Sequence, residues 1–137
     1  MFVRDVMKND VVTVSPGDSL SATAKVMGEN RIGCVVVAEG GKVIGILTER
    51  DILLKIVAPC RDAKKAKVKD VMASPVRTVS PDEDLEDAAT IMSELNVKHL
   101  PVVKNKKLVG IVTSADIVSI LPEVSRSLMN LEKEHKI

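Results

Sequence analysis

The sequence is almost free of aromatic side chains. Phe2 is the single aromatic residue among 137, and neither Trp nor Tyr occurs. The core must therefore be built from Val, Ile, Leu, Met and Ala, and a planar ligand would have to pack against aliphatic side chains. Cys34 and Cys60 are the two cysteines, which argues against a disulfide framework and predicts a cytoplasmic protein with free thiols.

The sequence also lacks an excess of charge and any long apolar run. Twenty basic residues against 19 acidic ones give a net charge of +1, which argues against a nucleic-acid partner. No apolar run approaches the roughly 20 residues needed to span a bilayer, so no membrane association is expected. The first ten residues carry Arg4, Asp5 and Lys8 where a signal peptide would be apolar.

What the sequence does contain is an internal repeat. Shifted by 65 residues, Val3–Leu53 lies on Val68–Val118 without a gap, and 20 of the 51 paired positions are identical. We expect a first repeat over residues 1–60, a basic linker over 61–67, a second repeat over 68–121 and a C-terminal tail over 122–137. The tail segment Glu123–Ile137 is predicted to be a helix that lies outside the repeat and packs on a partner chain.

Each copy reads as strand, helix, strand, strand, helix. The first helix of each copy is predicted to begin at a Ser-Pro pair, Ser15-Pro16 or Ser80-Pro81, with an acid three residues after the serine closing a capping box. Apolar residues at helical spacing then form one stripe. The stripe residues are Leu20, Ala24 and Met27 in the first copy and Leu85, Ala89 and Met92 in the second.

These motifs resemble a tandem pair of cystathionine β-synthase (CBS) domains, the Bateman module. Each copy opens with Val-Met before Thr-Val-Ser-Pro, and each closes with a Gly-apolar-apolar-Thr-x-x-Asp signature, at Gly45–Asp51 and at Gly110–Asp116. The second copy also has His99–Val103, His-Leu-Pro-Val-Val, a common strand of that family. The resemblance covers about residues 1–121.

The resemblance implies an α+β fold of two pseudo-symmetric βαββα units packed sheet against sheet. It implies a stand-alone regulatory module, not an enzyme, that binds AMP, ADP or ATP in the cleft between the repeats and requires no cofactor. Such modules commonly form homodimers, and with no effector domain fused to the chain the signal would pass in trans to an unknown partner. The alternatives are S-adenosylmethionine or an NAD-type ligand, or a structural dimerisation module without ligand.

No catalytic or metal site is expected, because the sequence has no P-loop, no metal-spaced His/Cys cluster and no supported Ser-His-Asp arrangement. The signature Thr48-x-x-Asp51 admits two interpretations. It can be a capping box that begins a helix, or a site where the carboxylate accepts bonds from a ribose diol and the Thr hydroxyl lies near phosphate. Both can hold together, and the family resemblance favours a role in binding.

The resemblance implies that entry-strand residues line the adenine, that the signature residues hold ribose and phosphate, and that basic residues before Leu-Pro-Val bind phosphate. The resulting nucleotide-binding set is Thr13, Val14, Ile46, Thr48, Arg50, Asp51, Thr78, Val79, Lys98, His99, Pro101, Thr113, Ser114 and Asp116. In relatives, phosphate ligands can come from the copy opposite the ribose Asp. On that pattern Lys98, His99 and Arg50 would serve Asp51, so the Asp51 site is predicted to bind more tightly than the Asp116 site.

Overall fold

A computed structural model describes residues 1–120, 130, 131 and 133. The chain divides into two compact units that do not follow the order of the repeats. The first-repeat unit is Val11–Val76, and the second-repeat unit combines Met1–Asp10 with the chain from Arg77 onward. Each repeat therefore gives its opening segment, with the Val-Met motif, to the unit that holds the other repeat's signature.

The first-repeat unit contains a three-stranded sheet in the order β1-β2-β3. Strand β1 pairs parallel with β2, and β2 pairs antiparallel with β3. The predicted order of strand, helix, strand, strand, helix is confirmed. The elements of the first-repeat unit are β1 (Thr13–Val14), α1 (Leu20–Asn30), β2 (Cys34–Glu39), β3 (Lys42–Thr48), α2 (Glu49–Ile52), a π-helical continuation (Leu53–Val57) and α3 (Val68–Val71).

The second-repeat unit repeats this plan with a reduced entry strand. The predicted strand at Thr78–Val79 is a single parallel bridge from Val79 to Val102, beside a two-stranded antiparallel sheet. The mixed α+β class with two repeats is confirmed. The elements of the second-repeat unit are a 3₁₀ turn (Val3–Asp5), α4 (Leu85–Leu95), β4 (His99–Lys104), β5 (Lys107–Thr113) and α5 (Ser114–Val118).

Both hairpins turn through two residues with positive φ. Gly40 and Gly41 have φ of +60° and +78°, and Asn105 and Lys106 have φ of +52° and +65°. This left-handed pair matches the twist of the flanking strands, and glycine or asparagine adopts it with least strain. The two consecutive strands expected in each copy are therefore joined as a hairpin.

The predicted starts of the first helices are wrong by four residues in both copies. Helix α1 begins after the N-cap Ser19, whose hydroxyl accepts from the Ala22 N–H, and α4 begins after the N-cap Asp84. The Ser15 N–H does donate to the Asp18 carboxylate at 3.0 Å, but this closes a turn before the helix. The Pro16 carbonyl accepts from the Lys69 N–H at 2.9 Å, which takes up an acceptor that a helix starting at Ser15 would use.

The apolar stripe of α1 also differs from the prediction. Ala24 is exposed, whereas Thr23 is 1% exposed and packs between Leu20 and Met27 on the buried face. The Thr23 hydroxyl donates to the Ser19 carbonyl at 2.9 Å, so its methyl group can be buried without an unsatisfied polar atom. In α4 the predicted residues Leu85, Ala89 and Met92 are all buried.

Each unit has its own aliphatic core. Of the predicted tail helix Glu123–Ile137, Leu131 is 4% exposed and belongs to the second core, whereas most of that segment lies outside the described residues. The first-repeat core contains Val14, Leu20, Met27, Val35, Val37, Leu47, Ile56, Ala66, Val68 and Val71. The second contains Val3, Val79, Leu85, Ala88, Ala89, Met92, Leu100, Val102, Val112, Ile117 and Leu131.

Candidate functional site

In each unit, the strand that contains the signature glycine, β3 or β5, pairs along its outer edge with the opening segment of the other repeat. In the second-repeat unit, Lys8 and Ile111 exchange two backbone hydrogen bonds of 2.9 Å. In the first-repeat unit, Ile46 and Ala73 exchange bonds of 3.1 and 2.8 Å. These bridges fix the residue that follows Val-Met beside the strand that leads into Thr-x-x-Asp.

The signature glycines permit this approach. A Cβ on Gly45 would lie 2.7 Å from Met72 Sδ, and one on Gly110 would lie 2.7 Å from Met7 Sδ. Such distances are shorter than real contacts allow, so a side chain at either position would displace the methionine or the bridge behind it. The opening Val-Met and the signature Gly are therefore two halves of one packing contact.

Thr48 and Asp51 form a complete capping box at the start of α2. The Asp51 N–H donates to Thr48 Oγ1 at 3.2 Å, and the Thr48 N–H donates to Asp51 Oδ2 at 3.0 Å. The Thr48 hydroxyl also lies 3.1 Å from Asp51 Oδ2, and Lys55 Nζ lies 3.2 Å from Asp51 Oδ1. Lys55 in turn donates to the Val71 carbonyl at 2.9 Å. Both carboxylate oxygens of Asp51 are thus engaged by groups of the same unit.

Thr113 and Asp116 occupy the same positions in the second-repeat unit with different bonding. The Asp116 N–H donates to Thr113 Oγ1 at 3.2 Å, so the threonine still caps α5. Asp116 Oδ2, however, is buried and has no hydrogen-bond partner among the residues that the structure describes. Its other oxygen lies 3.8 Å from Lys8 Nζ, at side-chain exposures of 23% for Asp116 and 66% for Lys8. The two signature carboxylates therefore differ in the acceptor capacity that they retain.

Lys98 and His99 lie beside the second signature in their own unit. His99 is the strand partner of Thr113 in the β4–β5 register, and the Ser114 N–H donates to the Lys98 carbonyl at 2.9 Å. Lys98 and His99 are half-buried, and Ser114 is buried. The structure thus brings the predicted basic pair next to Thr113 and Ser114.

The remaining predicted residues occupy the sheets and α2. Val14, Ile46, Val79 and Pro101 are buried, Thr78 is half-buried, and Thr13 and Arg50 are exposed. Proline has no N–H to donate to a neighbouring strand, and Pro101 is tolerated in β4 because its strand partner Ile111 bonds to Lys8 through both its amide and its carbonyl. The Pro101 carbonyl accepts from the Val79 N–H.

A groove of about 540 Å³ lies on the first-repeat unit, and none of the predicted residues lines it, although Glu49 and Ile52 of its lining are chain neighbours of Thr48, Arg50 and Asp51. Its lining is Ala24, Met27, Gly28, Arg31, Ile32, Gly33, Glu49 and Ile52. Across the described part of the chain, no group of three or more His, Cys, Asp or Glu side chains is arranged to hold a metal ion. Nor do those residues include a helix with the length and hydropathy required to cross a membrane.

Two lysines at the signature carboxylates were missed by sequence reasoning. Lys55 is four residues after Asp51 on one helical stretch, and that spacing is typical of an ion pair, so the sequence contained a signal for it. Lys8 is more than 100 residues from Asp116 and is matched in the repeat by Ala73, so no local pattern pointed to it.

Comparisons with known proteins agree on one family. The CBS domain model matches residues 3–58 and 68–123. The CBS domain-containing protein YhcV of Bacillus subtilis is 36% identical over 115 residues, which cover 84% of this chain and 81% of YhcV. The crystal structure of TA0289 from Thermoplasma acidophilum, a CBS domain protein of unknown function, is 26% identical with a TM-score of 0.86, covering 97% of this chain and 76% of that one. A hexameric CBS-CP12 protein from bloom-forming cyanobacteria is 28% identical with a TM-score of 0.83, covering 90% and 70%.

Proposed function

This chain belongs to the CBS domain family as a tandem pair, and we propose that it is a regulatory module that binds an adenosine nucleotide at its Thr-x-x-Asp signatures. The observation that carries the proposal is the signature carboxylate of Asp116, which keeps a buried oxygen without a partner in the described residues. A buried acceptor left without a donor costs free energy, and a ligand that donates hydrogen bonds would recover it.

A ribose diol is a suitable donor group for such a carboxylate. An ionised carboxylate only accepts hydrogen bonds and has two oxygens, so it can accept from two neighbouring hydroxyls. Oδ2 of Asp116 is buried, so the side chain would have to turn toward the ligand for both oxygens to accept from the diol. AMP, ADP and ATP share this diol, and so do S-adenosylmethionine and the NAD-type ligands that form the alternative.

The hydrogen bonds within each unit favour Asp116 as the stronger ligand residue, opposite to the ranking expected from sequence. At Asp51 a diol would have to compete with the Thr48 amide and hydroxyl and with the Lys55 ammonium. At Asp116 the competing side-chain contact among the described residues is a 3.8 Å approach to an exposed lysine. Displacing fewer internal bonds leaves more of the interaction energy for binding.

Calorimetric titration with AMP, ADP and ATP, repeated with S-adenosylmethionine and NADH, tests the proposal. We expect at least one adenosine nucleotide to bind the wild-type chain. We also expect Asp116→Ala to weaken that binding more than Asp51→Ala, with the fold of each variant checked by circular dichroism. A flat response to all five ligands would refute nucleotide binding and leave a structural module, and a larger loss from Asp51→Ala would refute the ranking.

The proposal assigns binding, not catalysis, to the chain. Its output would pass to another protein through a difference in ligand affinity between two conformational or assembly states. Turnover of ATP by the purified protein above a heat-inactivated control would contradict this assignment.

Self-association into a homodimer is part of the same proposal. Leu53, Leu54 and Val57, on the π-helical continuation of α2, are 51%, 53% and 59% exposed. Three neighbouring apolar side chains in water favour burial against another surface, and the CBS-CP12 relative is hexameric. Light scattering after size exclusion should give a dimer for the wild type and a smaller mass for Leu54→Asp. A monomeric wild type would refute this part.

A further inference from the structure

Lys8 holds a fixed place beside the second signature although it belongs to the N-terminal segment. Its amide and carbonyl both bond to Ile111, five residues before Asp116, and the preceding Met7 packs on Gly110. The backbone of Lys8 is therefore anchored by two hydrogen bonds and one packing contact, while its side chain is 66% exposed. The anchored backbone holds Lys8 where its ammonium group reaches Asp116 Oδ1, at 3.8 Å.

The ammonium of Lys8 is not saturated by Asp116. Their 3.8 Å separation is an ion-pair contact but exceeds hydrogen-bond length, so the ammonium keeps donors for another acceptor. A nucleotide whose diol lies on Asp116 brings a phosphate near the same carboxylate, and the two negative charges repel each other. A cation placed between them offsets this repulsion and can donate to phosphate oxygens.

The first-repeat unit provides an internal comparison. Ala73 occupies the position of Lys8 and makes the same two-bond bridge, to Ile46, but carries no charge. The cation near Asp51 is instead Lys55, which is bonded to both Asp51 and the Val71 carbonyl. In the second copy Ile120 stands where Lys55 would be. The two units thus supply their lysine from different elements, and Lys8 is the less constrained of the two.

We propose that Lys8 determines the specificity of the Asp116 site for a phosphorylated ligand over the bare nucleoside, by binding the anionic group of the nucleotide whose diol Asp116 holds. This inference rests on the proposed nucleotide-binding function and adds a residue from the opposite repeat to it. We therefore expect Asp116 to contribute to the affinity for both nucleoside and nucleotide, and Lys8 to contribute to the affinity for the nucleotide alone.

The test is calorimetric titration of the full chain with AMP and with adenosine, adenosine being measured by competition against AMP where its direct signal is small. Lys8→Ala should weaken AMP binding about tenfold, the loss of one charge-assisted hydrogen bond, and change adenosine binding less than about twofold. Lys8→Arg should keep most of the AMP affinity. Asp116→Ala should weaken the binding of both AMP and adenosine.

Lys107→Ala is the matched control, because it removes one exposed positive charge from the same unit at the far end of β5. It should leave AMP binding nearly unchanged. The inference is overturned if Lys8→Ala weakens AMP and adenosine equally, if it weakens neither, or if Lys107→Ala matches it. A wild-type chain that binds neither ligand would instead refute the proposed function, so the two failures are distinguishable.

Discussion

Replacing Gly45 with alanine should destabilise the first-repeat unit, because this position lies under the side chain of Met72. The new Cβ would be 2.7 Å from Met72 Sδ and 2.9 Å from the carbonyl oxygen of Ala73. The methionine can move, but the carbonyl is held at 3.1 Å by the Ile46 N–H. The strain is therefore relieved only by shifting the bridge that borders β3.

The magnitude follows from two opposing effects. Overpacking of a tight contact costs about 1–3 kcal/mol. Replacing glycine also removes freedom from the unfolded chain, which returns roughly 0.5–1 kcal/mol. We expect Gly45→Ala to lower the free energy of unfolding by about 1–2 kcal/mol and the Tm by roughly 3–8 °C for a chain of this size. In a Met72→Ala background the cost should fall but not vanish, because the Ala73 carbonyl remains.

Urea unfolding followed by far-UV circular dichroism measures the change, since the chain has no Trp or Tyr for fluorescence. Gly28→Ala in α1 is the matched control, because a Cβ there meets nothing within 4 Å. That substitution should stabilise the protein by up to about 1 kcal/mol through helix propensity. A Gly45→Ala variant as stable as the wild type, or a Gly28→Ala variant that loses as much, would refute the reasoning.

Two further pairs of substitutions test the local geometry by thermal and urea unfolding. Thr48→Ala removes the hydroxyl that accepts from the Asp51 amide and should cost about 0.5–2 kcal/mol, whereas Thr48→Ser keeps an N-cap acceptor and should cost less; equal losses would contradict the capping role. Arg31 ends α1 with φ of +54°, and Arg31→Gly should stabilise by up to roughly 1 kcal/mol. Asn96→Gly, at the equivalent end of α4, should gain less because asparagine tolerates this conformation better, and a larger gain there would count against the explanation.

Much of the fold could be predicted from sequence because its determinants are local. The hairpins follow from two aliphatic runs joined by a short turn in each copy, and the turns lie at Gly40-Gly41 and Asn105-Lys106. The Thr-x-x-Asp capping interaction at Thr48 also depends on residues within one turn of chain. The burial of Thr23 was not predicted, because threonine counts as a polar residue in a hydrophobic pattern. Its hydroxyl donates to the backbone carbonyl four residues earlier, which allows the side chain to be buried.

The helix starts could not be predicted for a long-range reason. Ser15 and Asp18 form the reciprocal bond that a capping box requires, yet the Pro16 and Asp18 carbonyls are taken by Lys69 and Val68. A segment some 50 residues away thus ends what sequence alone predicts as the first turn of a helix. The second copy repeats this, with the Val3 and Arg4 amides donating to the Glu83 and Pro81 carbonyls.

The sequence alone determined an aliphatic α+β protein with two matching signatures, through its near absence of aromatic residues and its 65-residue repeat. These features could be read from sequence because hydrophobic pattern and turn chemistry depend on neighbouring residues. Only the tertiary structure decided that each Val-Met segment packs on the glycine of the other repeat's signature, because that contact joins distant residues through backbone bonds and shape. The same long-range pairing places Lys8 at Asp116 and Ala73 at the matching site. Two signatures with identical threonine and aspartate thereby acquire different hydrogen bonds.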